Sequence, residues 1–262
     1  MPVEKVQVRA CDPGFTRGDG VFEAVRLYDR RPFAMREHLA RLALSARNLQ
    51  LEYDADALTR ECAALCHRTS RSDCYVRILV TRWGMRLLLE EPLVEYRDGV
   101  RLALVPHTVT PLLVGVKSLS YAANMQAKRV ASEQGVDDAL LIDAATGEIL
   151  EASLSSFAWV EKGKIYTPPL SLGILDSITR RLLLKVADIV EARCTTDDLK
   201  RADEACLVST TREVQSVGEI VGIRTFSRES PTVAALQGAY RAHVETAVGD
   251  SMSGGGETAD RA

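Results

Sequence analysis

The stretch PHTVTPLLVGVKSLSYAANMQAK (residues 106–128) divides the chain and gives its chemistry a place. Its opening, Pro106 to Pro111, holds two prolines, two threonines and a valine, and continues neither a strand alternation nor a helical spacing. It reads as a linker between two units. Beyond it a short apolar run meets a helical pattern, and Lys117 and Tyr121 fall at that junction. A lysine in such a place is partly desolvated, which lowers its pKa and leaves a neutral amine reactive toward aldehydes. Taken alone, Lys117 reads as a solvated surface residue.

Upstream, VEKVQVRA (3–10) and VFEAVRLY (21–28) read as strands, the second entering a hairpin turn at Asp29-Arg30-Arg31-Pro32. MREHLARLALSARNLQL (35–51) repeats apolar residues at Leu39, Leu42, Ala46 and Leu49, the spacing of an amphipathic helix. ALTRECAALCHR (57–68) is a second helix opened by Asp54 or Asp56, and CYVRILVT (74–81) and RLALVP (101–106) are strand-like. Downstream, AANMQAKRVASEQ (122–134) is a helix stopped by Gly135, and DALLIDAATGEILEA (138–152) is strand, turn, strand. SSFAWVEKGKIYTPP (155–169) is a hairpin around Lys162-Gly163, and SITRRLLLKVADIVEA (177–192) is a long helix capped by Asp176 or Ser177. ACLVSTT (205–211) and VGEIVGIRTF (217–226) read as strands, and Ser230-Pro231 opens a last helix. The organisation expected is a smaller α+β unit over 1–105, a linker over 106–111 and a larger α/β unit over 112–248. The small, polar, glycine-rich tail 249–262 is expected to be disordered.

With 262 residues, 46% hydrophobic and 26% charged, the chain is long enough for two cored units. A formal charge of -3 leaves no basic field for nucleic acid, and no stretch has the apolar length of a membrane span. The six cysteines are scattered and the N-terminus carries no apolar leader, so a reduced, cytoplasmic protein is expected. Cys62, Cys66 and His67 lack a second ligand pair, which makes buried thiols on a helix the better account than a metal site. The chain has no GxGxxG, GxxxxGK[ST] or GxSxG. A different phosphate seat is available at ILDSITRR (174–181), where a loop enters a helix whose first N–H groups lack intrahelical partners and Thr179 adds a hydroxyl. Glu151 ends a strand, a position where most glutamates simply face water.

The order of the pieces is more specific than any one of them. RGDGVFEAVR (17–26), EHLARL (37–42), YVRILVTR (75–82), VKSLSYAAN (116–124), GEILEASLSSF (147–157), TPPLSLGILDSITR (167–180) and STTREVQSV (209–217) together resemble the class IV aminotransferases. These are fold-type-IV pyridoxal-phosphate enzymes that include branched-chain and D-amino acid aminotransferases and aminodeoxychorismate lyases. The resemblance implies a two-domain α/β (α+β) fold, pyridoxal 5'-phosphate as cofactor, and a homodimer acting on a small amino acid and a 2-oxo acid. It makes Lys117 the lysine that holds the cofactor and moves the proton. Glu151 then pairs with the pyridine nitrogen. Arg41, the Ile178 and Thr179 amides and Thr210 take the phosphate, and Ser156 and Tyr121 border the cofactor. On the substrate side it points to Tyr75 and Arg77, to Arg82, and to Phe22 and Thr211.

The sequence departs from the family pattern where EGxxxN becomes Glu151-Ala152-Ser153-Leu154-Ser155-Ser156, and where the glycine before ITR becomes Ser177. Phe22 leans toward the branched-chain branch, and Glu213 in STTREVQSV toward aminotransferases rather than lyases. The leading expectation is a ping-pong aminotransferase using a branched-chain-like or D-amino acid. The alternatives are 4-amino-4-deoxychorismate lyase, which eliminates pyruvate, and a non-catalytic relative. An ion pair, with Glu23 as partner, is the structural alternative for Arg77.

Overall fold

Alternation and turn chemistry build the first layer. The computed structural model describes residues 5–253. A short helix, α1 (Pro13–Arg17), is capped by Asp12 and leads into β1 (Gly20–Tyr28). Asp29 and Arg30 both take positive φ, 46° and 62°, and this turn folds β1 onto β2 (Arg31–Pro32). Helices α2 (Met35–Asn48) and α3 (Ala55–Arg68, capped by Asp54) follow, then β3 (Cys74–Thr81) and β4 (Arg86–Pro92). The four strands form an antiparallel sheet in the order β2-β1-β3-β4. Val21, Val25 and Leu27 of β1 project to one side and bury with Leu42 and Ala46 of α2 and Leu58 and Cys62 of α3. The opposite face of β1 is left for the second layer.

That layer is a curled sheet of nine strands. Its members are β5 (Val100–His107), β6 (Asp138–Asp143), β7 (Ile149–Ala152), β8 (Ser156–Glu161), β9 (Lys164–Thr167), β10 (Ile189–Glu191), β11 (Glu204–Ser209), β12 (Glu213–Ile220) and β13 (Arg224–Thr225). They run β10-β9-β8-β11-β12-β5-β6-β7, with β13 paired to β12. Helix α4 (Ala122–Glu133) carries the chain between the parallel strands β5 and β6. Helices α5 (Ile178–Val186), α6 (Thr196–Arg201) and α7 (Pro231–Ser253) complete the fold. Phe157, Trp159, Leu140 and Leu207 lie in one core of this sheet, and Leu183, Leu236 and Tyr240 pack against its other side.

Several local expectations are corrected. Residues 6–9 form no strand. The helix expected over 177–192 stops at Val186, because Ile189–Glu191 pairs in parallel with β9. The strand at Val100–His107 joins the large sheet, between β12 and β6, instead of the first unit. The chain therefore crosses between sheets over residues 93–99, ahead of the linker expected at 106–111. Those residues instead finish β5 and begin a return to β1 through a 3-10 turn at Pro111–Leu113. The last helix continues through Gly249 to Ser253, and the rest of the expected tail lies outside the described residues. No helix among the described residues is long and apolar enough to cross a membrane.

Candidate active site

The free face of β1 forms one wall of a cavity of about 240 Å³ that also draws on the return segment, the β7–β8 turn, the start of α5 and the β11–β12 turn. Lys117 enters on the return segment, which is pinned to β1 and α2. The Phe22 amide donates to the Lys117 carbonyl at 2.9 Å, the Lys117 amide donates to the buried Ser45 hydroxyl at 3.1 Å, and Ser118 bridges to Val21. The amine lies 4.5 Å from the centre of the Phe22 ring and 5.9 Å from that of Tyr121. Those rings meet edge to face at 5.1 Å. Burial pushes the Lys117 amine down and the Arg41 charge adds to this, so that against the pull of Glu23 and Glu151 it falls to about 8. Burial also holds the Tyr121 phenol above its ordinary value.

Glu151, on β7, accepts the Leu175 amide at 3.1 Å. Burial is the larger influence on it and raises its carboxyl to about 7, against the lowering effects of that amide and of Lys117. The turn that follows β7 lines the cavity with Ser155 and Ser156, whose hydroxyls are buried and without a partner among the described residues. Buried polar atoms are normally paired, so two orphaned hydroxyls on one cavity wall fit a polar ligand there.

Opposite, the helix start expected to seat an anion opens α5 beside the cavity. Ser177 caps α5 by accepting the Arg180 amide at 3.3 Å, leaving the Ile178 and Thr179 amides as first-turn donors without intrahelical partners. Arg41 reaches the same corner from α2, donating Nη1 to the Asp176 carbonyl at 2.8 Å. Thr210 and Thr211 line the same cavity from the β11–β12 turn. Donors of this kind, gathered around a helix start with an arginine, suit a phosphate.

Sequence reasoning missed what holds Arg41. Glu23 is fully buried and accepts Arg41 Nε at 2.6 Å, Arg41 Nη2 at 2.9 Å and His38 Nδ1 at 2.7 Å. Burial works to raise the Glu23 carboxyl, but the Arg41 charge and the hydrogen bonds from His38 and Arg41 outweigh it and hold it at about 2. Burial lowers His38 despite Glu23, so the ring is neutral, and its Nε2 has no partner among the described residues. A signal for Glu23 existed: it falls on the apolar side of β1 between Val21 and Val25, where a carboxylate demands a buried cation.

The arginines expected on the substrate side separate. Arg77 is bound by Glu91 of β4, through Nε at 2.6 Å and Nη2 at 3.0 Å, and Tyr75 donates its hydroxyl to the same carboxylate. Glu91, and not Glu23, is thus its ion-pair partner. Arg77 stays near the cavity, 5.8 Å from the centre of the Phe22 ring. Arg82 is not brought there: it donates to Asp19 at 2.9 Å and to the Leu49 and Gln50 carbonyls at 2.8 and 2.6 Å. Glu213 is bonded to Tyr28 at 2.8 Å and Arg26 at 2.9 Å, a tie between the two sheets. Behind the β7–β8 turn, buried Asp138 joins Arg212 at 2.5 Å to the Ser153 hydroxyl, an arrangement that local sequence does not show. No group of acidic, histidine and cysteine side chains among the described residues has the arrangement of a metal site.

Residues 20–220 match the profile of the family described as amino-transferase class IV. The provisionally assigned branched-chain-amino-acid aminotransferase of Methanocaldococcus jannaschii is 33% identical over 82% of this chain and 83% of its own length. D-alanine aminotransferase of Bacillus licheniformis is 29% identical over 92% and 90%. Among solved structures, the branched-chain aminotransferase of Thermoproteus uzoniensis, with norvaline, superposes at a TM-score of 0.85 with 26% identity, covering 97% of this chain and 93% of that one. A hypothetical aminotransferase of Mycobacterium tuberculosis, in its PLP-bound form, gives 0.86 with 25% identity over 94% and 96%. The chain belongs to the class IV aminotransferase family. Its mixed α/β fold with a curled sheet is that of the fold-type-IV pyridoxal-phosphate enzymes.

Proposed function

We propose that this chain is a pyridoxal-phosphate-dependent aminotransferase, a homodimer as the resemblance implies, moving an amino group from a branched-chain-like or D-amino acid to a 2-oxo acid. The observation that carries the reading is the convergence of Lys117, Glu151, Arg41 and the start of α5 on one cavity. When bound, the cofactor supplies an aldehyde that takes an amine and a ring that accepts the electrons left when the donor loses its Cα proton. Lys117 Nζ would be the amine that holds the cofactor. A depressed pKa keeps a usable fraction of it neutral near pH 7, so this amine would be able to move a proton between the donor Cα and the cofactor C4′. Glu151 would pair with the ring nitrogen and keep it protonated, since a buried carboxylate is stabilised by an adjacent cation. Arg41, the Ile178 and Thr179 amides and Thr210 would hold the phosphate, with Ser155 and Ser156 closing the wall. Phe22 and Tyr121 keep the amine in an apolar, water-poor setting.

Purified protein titrated with pyridoxal phosphate should gain a visible absorption band. It should then transfer amino groups in a panel of L- and D-amino donors, led by leucine and D-alanine. Pyruvate release from 4-amino-4-deoxychorismate without any amino transfer would replace this reading with the lyase. Failure to take up the cofactor at all would replace it with a non-catalytic relative.

A further inference from the structure

The face of the small sheet that borders the cavity carries a carboxylate already seated on a carboxylate-binding set. Strand register places Ala24, a cavity wall residue, opposite Arg77, Arg26 opposite Tyr75, and Tyr75 opposite Glu91, so these side chains share that face. Glu91 takes two hydrogen bonds from the Arg77 guanidinium and one from the Tyr75 hydroxyl, and Arg77 Nη2 also donates to that hydroxyl oxygen at 3.0 Å. Arg77 is close enough to depress the Lys117 amine by its charge, and both groups lie over the Phe22 ring, the guanidinium carbon at 5.8 Å and the amine at 4.5 Å from its centre. Such a fork of donors recognises any carboxylate of suitable reach, including one on a substrate side chain.

Accordingly, we propose that Glu91 is a specificity-determining residue: it fills, from within the chain, an oxyanion subsite made by Arg77 and Tyr75. The native protein is thereby set for amino and 2-oxo acids with uncharged side chains and against dicarboxylic ones. This inference rests on the aminotransferase reading. Both partners are about a third exposed, 32% for Arg77 and 28% for Glu91, so the subsite is open to exchange once the internal occupant is removed. Burial works to raise the Glu91 carboxyl, but the hydrogen bonds from Arg77 and Tyr75 outweigh it and hold it below the usual range. The occupant therefore stays ionised at neutral pH, where a second carboxylate meets charge repulsion as well as a filled site.

The test compares the native holoenzyme with Glu91→Ala and with the double variant Glu91→Ala, Arg77→Leu, each checked for an unchanged melting profile. The ratio of kcat/KM for glutamate to that for leucine should rise at least about tenfold in Glu91→Ala and fall back in the double variant, since one charge-assisted contact is worth that factor. Glutarate binding, followed by calorimetry, should tighten in the same pattern. An unchanged ratio with unchanged glutarate affinity overturns the proposal, as does a gain that survives loss of Arg77. Absence of amino transfer with every donor would defeat the aminotransferase reading instead, and the calorimetry would still decide whether Glu91 occupies a carboxylate subsite.

Discussion

Glu23 shows how much of this site is decided by one buried charge. Its carboxylate neutralises Arg41 and receives His38 with no exposure to water, so Glu23→Ala strands a buried guanidinium. That loss should cost about 3–5 kcal/mol in chemical denaturation, the range for breaking a buried pair. Proton linkage gives the sign with pH. The folded carboxyl titrates at about 2 and the exposed one near 4.5, so its contribution is complete above pH 4.5 and is lost as pH falls toward 2. The loss amounts to about 3 kcal/mol. The Glu23→Gln protein should lack this part of the acid transition. A second prediction concerns Glu151, whose charge rather than size is invoked. Glu151→Gln should bind pyridoxal phosphate nearly as well as the native chain while kcat falls by about a hundredfold, or roughly 2.7 kcal/mol of activation free energy. Equal kcat values would remove Glu151 from the mechanism.

At the scale of elements, the start of α5 is the proposed phosphate seat, and its cap is testable. Ser177→Ala removes the hydroxyl that accepts the Arg180 amide, and should destabilise the protein by about 1 kcal/mol in thermal unfolding. Ser177→Gly should cost only a few tenths, because glycine is tolerated at the cap position. Such a result would explain how either residue serves before Ile-Thr-Arg. The elements also show where sequence reading has its limit. Helices α2, α3, α4 and α7 announced themselves through periodicity and caps, and the β1–β2 and β8–β9 turns through their residues. The shortness of α5 was not legible, because Ile189–Glu191 leaves the helix to pair with β9, a tertiary demand that overrides local propensity. Strand β4 was missed for a different reason: Arg86–Glu91 are all half-buried, so no alternation marks a buried face.

For the whole molecule, the cavity exists because segments far apart in sequence meet: the free face of β1, the Lys117 return, the β7–β8 turn, the start of α5 and Thr210. Each was visible in the sequence as a motif, and the resemblance to a known family supplied the order that local physics could not. What joins them was not visible. The pairing of β5 with β12 links Val100 to Val217, and the Asp138–Arg212 contact braces the turn that bears Thr210 and Thr211. Glu91, which covers Arg77, belonged to a strand the sequence did not reveal. The proposed function puts Lys117 at the atom-level centre, and one measurement tests it most directly. Protein loaded with pyridoxal phosphate, reduced with borohydride, digested and mapped by mass spectrometry should carry one pyridoxyl group on the peptide containing Lys117, and the Lys117→Ala variant should carry none there. Labelling of a different lysine, or no label at saturating cofactor, would contradict the account.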